Sequence, residues 1–380
     1  MSSLAVGVVL ATTLVSCGED ETTTGPAAGS FAFGTRTNYP VGDLPSAVFA
    51  ADLDGDGDRD LAVANVMSDD ISVLLNNGNG VFAAAAQYGV GDGPLGVVAA
   101  DLDGDTDADL ITANSGPAAN SVSVLLNNGS GTFATAVSYA TDRGPRSVCA
   151  ADFDGDGDQD VATANSGTRN VSVLLNNGDG TLTADNVYAI VGEAPQSIVA
   201  ADFGGDPKPD LAVANFGTGS LLIGTVTILR NRGDGTFGPT STYVVGTGAR
   251  GITVGRFNGD QLPDLAVANG HSGDVSVLLN SGGGTFTVAA SYSAGGLPGS
   301  VFAADLDRDG VMDVATTLFE SDNVSFLRNG GDGTLSIPSY RMVGSEPTFV
   351  FAADLDADGA LDLVSANSGS DNVSVLLNAK

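Results

Sequence analysis

The chain has 380 residues, of which 46 are Asp or Glu and only 14 Lys or Arg, giving a net charge of -32. So acidic a protein excludes charge attraction to nucleic acid or to anionic lipid, and leaves membrane contact to an N-terminal anchor. With 53 Gly, no Trp and 42% hydrophobic residues, the composition is that of a soluble extracellular protein with enough Val, Leu, Ala and Ile for a core. The length suits two or three ordinary domains or one large repeat array, and internal repeats decide between them.

Residues 4–16 form an apolar run that is too short to span a bilayer as a mature helix and has the shape of a signal-peptide core. Its end, Leu14-Val15-Ser16-Cys17, resembles the lipobox of bacterial lipoproteins, in which the Cys is lipidated. Residues 1–17 are therefore expected to be a signal peptide, with Cys17 lipidated and the protein exported to the outer membrane or cell surface. A plain secretory peptide is the alternative. Residues 18–30, acidic and then rich in Thr, Gly and Ala, read as a flexible tether.

The first motif beyond the tether is Asp52-Leu53-Asp54-Gly55-Asp56-Gly57-Asp58-Arg59-Asp60, with five carboxylates in nine residues. Such a run repels itself unless it stays solvated or wraps a cation. Acids at places one, three, five and nine, with Gly at six, match the front of a calcium loop whose seventh residue supplies a backbone carbonyl. Oxygen-only ligands point to a hard cation rather than zinc or copper. No Glu stands at the twelfth place, and 60–65 reads as a strand, so the loop joins two strands of a hairpin.

The loop recurs with its first place at 52, 101, 152, 202, 256, 305 and 354, seven copies about 50 residues apart. In the first copy, strands are expected at 46–51, 60–65, 71–76 and 81–88, with the turn Asn77-Gly78-Asn79-Gly80 before the last. Four short strands per repeat make one antiparallel blade, and the repeats begin near 46, 95, 146, 196, 250, 299 and 348. The strands are apolar on both faces and built from small residues, as in Ala62-Val63-Ala64, which suits blades stacked between two neighbours. Cys149, inside Ser147-Val148-Cys149-Ala150-Ala151, reads as a small core residue.

The seventh copy stops after its third strand, at 372–378. Residues 29–39, ahead of the first copy, fit the fourth-strand template of 131–139. An N-terminal strand that completes the last blade closes the ring and removes an open edge. The expectation for 31–380 is one all-β, seven-bladed, closed propeller.

Asp-x-Asp-x-Asp-Gly-x-x-Asp-Leu loops in 50-residue blades resemble the FG-GAP/VCBS repeats, found in the head of integrin α subunits and in many bacterial surface proteins. The resemblance implies Ca2+ in the loop between the first two strands of a blade. It implies little about activity.

Copy by copy, the expected ligand sets differ. The first is Asp52, Asp54, Asp56 and Asp60 with the carbonyl of Asp58, and the third is Asp152, Asp154, Asp156 and Asp160 with that of Asp158. The sixth is Asp305, Asp307, Asp309 and Asp313 with the carbonyl of Val311, and the seventh is Asp354, Asp356, Asp358 and Asp362 with that of Ala360. The second keeps Asp101, Asp103, Asp105, Asp107 and Asp109 but has Thr106 where Gly is wanted, so it is expected to be occupied and strained. In the fourth, Gly204 and Pro207 replace a ligand and the turn Gly, and weak or no binding is expected. In the fifth, Arg256 takes the first place and its guanidinium is expected to stand in for the cation. About five Ca2+ would bring the net charge from -32 to -22.

Arg232-Gly233-Asp234 spells an integrin-recognition tripeptide, but it sits in the same hairpin turn as Asn177-Gly178-Asp179-Gly180 and reads as a turn. On the face opposite the Asp loops, Arg143, Arg146, Arg169 and Arg250 are expected in connecting loops and His271 in another, where an anion or acidic-sugar site is one reading and scattered solvated charges the other. The longest of these connections, 216–224, is the best guess for a ligand-contacting insertion. Asn65, Asn114, Asn165, Asn215, Asn269 and Asn367 recur where the second strand ends and read as turn-stabilising residues. One His without a neighbouring nucleophile motif gives catalysis little support.

The expectation is thus a monomeric, calcium-stabilised surface module that binds a glycan or another surface protein. A polysaccharide lyase or hydrolase, and a structural surface-assembly subunit, are the alternatives.

Overall fold

A computed structural model describes residues 31–183 and 186–378; the signal-peptide segment, Cys17 and the tether lie outside the described residues. The strands group into seven four-stranded sheets, one per repeat. In the first blade, following β1 (Thr37–Pro40), the order is β2 (Pro45–Ala51), β3 (Asp60–Asn65), β4 (Asp70–Leu74) and β5 (Ala86–Gly89), each antiparallel to the last. The equivalents of β2 in the other blades, such as Pro94–Ala100 and Pro347–Ala353, stand side by side in a closed inner ring.

Closure happens where the sequence predicts it. β1 pairs antiparallel with Asn372–Leu376, Thr37 opposite Val375 and Pro40 opposite Asn372, and Phe33 bridges Asn378. β1 is thereby the outer strand of the seventh blade, and no unpaired strand edge is left at the seam.

Every residue of β3 is buried, as in the second strand of each blade. Both faces of a blade meet a neighbour, so the core lies between blades: Ala62 and Val73 of the first pack with Val97, Leu110 and Leu125 of the second. Small side chains permit that approach. Polar pairs join it. Each recurring Asn at the end of the second strand is fully buried and reaches across to the third strand, Asn65 Nδ2 donating to Ser72 Oγ at 3.0 Å and Asn367 Nδ2 to Ser374 Oγ at 3.0 Å.

The outer strands depart from expectation. Instead of a continuous 81–88, the first blade has an isolated bridge between Asn76 and Phe82 and then β5. An outer strand faces solvent along its far edge, so nothing beyond it enforces continuous pairing. Only in the fourth and fifth blades does it run long, at Phe237–Thr247 and Phe286–Ser293.

A ring of asparagines ties the blades together. Asn76 Nδ2 donates to the Leu355 carbonyl of the preceding blade at 2.7 Å, Asn127 Nδ2 to Leu53 at 2.8 Å, and so on round to Asn378 Nδ2, which donates to Leu306 at 2.9 Å. Each accepting carbonyl belongs to the second residue of an Asp loop. The loops are therefore part of the seam between blades.

Candidate metal centres

Each Asp loop links the inner strand of its blade to the second strand, which places all seven on one face. In the first, the Asp52 carboxylate folds the loop by accepting from Gly55 N at 2.8 Å and Gly57 N at 3.1 Å. Gly57 has φ 97°, a left-handed conformation that glycine adopts without steric cost. Asp60 is fully buried and its two oxygens accept from Leu53 N at 2.8 Å and Asn76 N at 2.7 Å. It clamps the loop to the end of the third strand.

One carboxylate oxygen from each of places one, three and nine falls within 4.8 Å of the other two in five copies: Asp52, Asp54, Asp60; Asp101, Asp103, Asp109; Asp152, Asp154, Asp160; Asp305, Asp307, Asp313; and Asp354, Asp356, Asp362. A hard cation with oxygen ligands at about 2.3–2.6 Å fits between atoms so spaced. Electrostatics agree. Burial pushes the Asp60 carboxyl up to about 6, and those of Asp109, Asp160, Asp313 and Asp362 up to about 7, against backbone hydrogen bonds that pull the other way. Desolvated carboxyls beside further carboxylates ionise readily only when a cation joins them.

The fifth-place acids stand outside these triads. Asp56 Oδ1 accepts from Asp58 N at 2.9 Å, and Asp105, Asp156, Asp309 and Asp358 do the same for Asp107, Asp158, Val311 and Ala360. They hold the carbonyl-bearing seventh place in position.

The FG-GAP-like repeat model matches residues 52–112, 104–163, 152–213, 205–267 and 256–316, well over half of the chain. The chain belongs to this family. Among solved structures it is similar to BBS1N in complex with ARL6DN, at 11% identity over 92% of this chain and 97% of that one, with a TM-score of 0.63. It is similar also to a streptogramin B lyase, at 14% identity over 92% and 98%, TM-score 0.63. A catalytically inactive virginiamycin B lyase from Staphylococcus aureus, with quinupristin, matches at 13% identity over 90% and 98%, TM-score 0.59. At such identities the likeness is one of fold. No curated protein matches the chain.

Within this FG-GAP-like ring the copies differ, and in three the structure alters the expectation. Thr106 of the second copy does hold a left-handed φ, 80° against 97° for Gly57 in the first, which strains a side-chain-bearing residue, and its N–H still reaches Asp101 at 3.1 Å. In the fourth copy, Arg230 of the third strand turns its guanidinium towards the loop and lies 3.4 Å from the fully buried Asp210. The other blades carry Leu75, Leu126, Leu175, Leu279, Arg328 and Leu377 at that place. A Cβ on Gly204 would come within 2.0 Å of Arg230 Nη2, so the lost third-place Asp is what makes room for the arginine. The fourth loop carries its own cation.

The fifth copy is corrected. Arg256 donates from Nη1 to Gln261 Oε1 at 3.0 Å and makes no ion pair with Asp260 or Asp264 among the described residues. Asp264 nevertheless keeps its clamp on Phe257 N and Asn280 N, at 2.9 and 2.7 Å. The ninth-place Asp thus has a structural role that survives loss of the metal set. The sixth copy, intact by sequence, has a competitor: Arg328 pairs with Asp307 and, at 2.8 Å, with Asp309. Neither Arg230 nor Arg328 is legible as a loop residue, because each lies a strand away from the loop it enters.

The tripeptide at Arg232 behaves as a turn: Gly233 has φ 81°, its N–H reaches Asn231 Oδ1 at 2.7 Å, and Asp234 accepts from Thr236 N at 3.0 Å. On the opposite face the five basic candidates separate. Arg169 is paired with Glu193 at 3.1 Å. Arg143 is exposed, its N–H capped by the Asp142 carboxylate at 3.0 Å. His271 packs edge-on against Phe216 with centroids 5.1 Å apart, and Arg250 lies over the same ring at 5.5 Å. Arg146 and Arg250 lie in strands rather than loops, each second in the inner strand of its blade, Pro145–Ala151 in the third and Ala249–Gly255 in the fifth.

Proposed function

We propose that the chain is a calcium-stabilised, non-catalytic binding module, exported and either held at the cell surface through Cys17 or secreted, which recognises a glycan or a surface protein. The observation that carries this reading is the division of labour between faces. Five carboxylate triads are gathered on one side, where they brace the seams between blades, and the connections that vary from blade to blade lie on the other. Those connections include the one expected at 216–224, which spans 216–222 because Ile223 already opens the third strand, and whose Phe216 supports Arg250 and His271. Loops held on a rigid scaffold are where binding residues concentrate. Net charge of -32 disfavours nucleic acid as a partner.

Calcium is then a folding ligand. Extracellular oxygen-ligand sites bind at roughly 0.1–1 mM, and at tenfold excess each contributes about 1.4 kcal/mol, or about 7 kcal/mol over five, comparable with the net stability of many domains. EGTA is expected to lower the melting temperature sharply and added Ca2+ to restore it; an unchanged melt removes calcium from the account. Binding to a glycan array or to surface extracts, with no turnover of acidic polysaccharides, supports the module. Turnover would replace it with a polysaccharide-active enzyme.

A further inference from the structure

We propose that Arg146 and Arg250 form an anion site at the axial rim opposite the Asp loops, which takes the carboxylate or sulfate groups of an acidic polysaccharide. This rests on the binding-module reading and gives it a ligand class.

The rim is built by the second residues of the seven inner strands: Ser46, Leu95, Arg146, Gln196, Arg250, Gly299 and Thr348. No acid stands among them, in a chain whose acids outnumber its bases by 46 to 14. Arg146 and Arg250 are the rim's only charges and flank Gln196, one blade to either side. Both residues are solvent-accessible, and among the described residues neither has a carboxylate within ion-pair distance. Three other arginines are spent on carboxylates: Arg169 on Glu193, Arg328 on Asp307 and Asp309, and Arg230 on Asp210.

The pair is held in place by neutral groups. Arg250 lies over the Phe216 ring, and Arg146 Nε donates to Ser166 Oγ at 3.3 Å. Partial desolvation, and then the charge of Arg250, lowers the proton affinity of Arg146, although both residues stay exposed to solvent on inner strands one blade to either side of Gln196. Two like charges fixed within each other's field are costly until an anion joins them. Guanidinium groups present parallel N–H donors that match the two oxygens of a carboxylate or a sulfate. Gln196 stands between the two arginines with its amide donating to the Ala194 carbonyl at 3.0 Å, while the rim hydroxyls of Ser46 and Thr348 donate to the carbonyls of Pro94 and Pro45 at 3.0 and 2.9 Å.

The test uses the full chain with Ca2+ present and isothermal titration against polygalacturonate, dextran sulfate, neutral dextran and inorganic phosphate. Expected are binding of at least one of the two acidic polymers but not of neutral dextran, affinity that falls with added salt, and a loss of about tenfold or more for Arg146→Gln and again for Arg250→Gln. Unchanged melting curves in Ca2+ check that these exposed substitutions leave the ring intact. Arg169→Gln, already paired with Glu193, is expected to change affinity little. The proposal is overturned if neither acidic polymer binds, if they bind equally well to the two Gln variants, or if phosphate alone binds. Should a neutral glycan or a protein bind instead, the module stands and the anion site falls.

Discussion

The guanidinium of Arg230 lies 3.4 Å from the fully buried carboxylate of Asp210, in the space that Gly204 leaves by lacking a side chain. A loop that has lost its metal set is held by a covalently attached cation, and the clamp from Asp210 to Asn231 N, at 2.8 Å, is kept.

Arg230→Leu is therefore expected to destabilise the protein by about 2 kcal/mol, because it strands a buried carboxylate, while the number of bound Ca2+ stays the same. The double variant Gly204→Asp, Arg230→Leu restores the third-place ligand and vacates its space, and is expected to bind one Ca2+ more than the parent. Equilibrium dialysis counts the ions. Equal stoichiometry in parent and double variant would show that Arg230 is not what keeps metal out.

Arg328 contends with Ca2+ for Asp307 and Asp309, so the sixth loop is expected to be the weakest of the five. Arg328→Leu gives the sixth blade the residue that five of the others carry and should tighten that site several-fold. A calcium titration followed by calorimetry reads it as a shift of the weakest class of sites. Tightening of all sites together would point to long-range charge instead.

The ninth-place carboxyls set the pH dependence. Folded and metal-free, they titrate at about 6 for Asp60 and about 7 for Asp109, Asp160, Asp313 and Asp362, above the roughly 3.9 of an unfolded Asp. The folded state therefore binds the extra protons, and the stability they bring is fully present below the unfolded value and lost as pH rises through 6 to 7. In EGTA the melting temperature should fall between roughly pH 4 and pH 7 and level off above. Calcium binds the ionised form, so the gap between melts with and without calcium should widen over the same interval. A constant gap would remove these carboxyls from the metal sites.

Asn378 closes the asparagine ring by donating to Leu306 across the sixth and seventh blades. Asn378→Ala leaves that buried carbonyl without its donor and is expected to cost about 1–2 kcal/mol. Chemical denaturation with calcium present measures it. A cost no greater than that of an exposed Asn79→Ala control would mean that the ring adds nothing to blade cohesion.

What the chain reveals when read as a string is whatever repeats at short range. Five carboxylates between Asp52 and Asp60, Gly57 at the turn, a 50-residue period, small buried residues such as Ala62 and Ala64, and a seventh copy missing the strand that 31–39 can supply are all local patterns. Each element in them is specified by its own neighbours, and seven copies average out the errors of any one. Propeller, closure and the five acidic triads were legible for that reason.

Tertiary structure decided everything that joins residues of different strands or blades. Arg230 and Arg328 read as ordinary strand residues until the hairpin brings them back over a loop. Asn76 meets Leu355 only when the first blade packs on the last, and Arg146 and Arg250 share one rim only because the inner strands form a ring. Side-chain reach and ring closure set these distances, and neither is written in the spacing of residues along one strand. Sequence alone determined the scaffold and which loops carry acids; the packing of blade on blade decided where the remaining cations go.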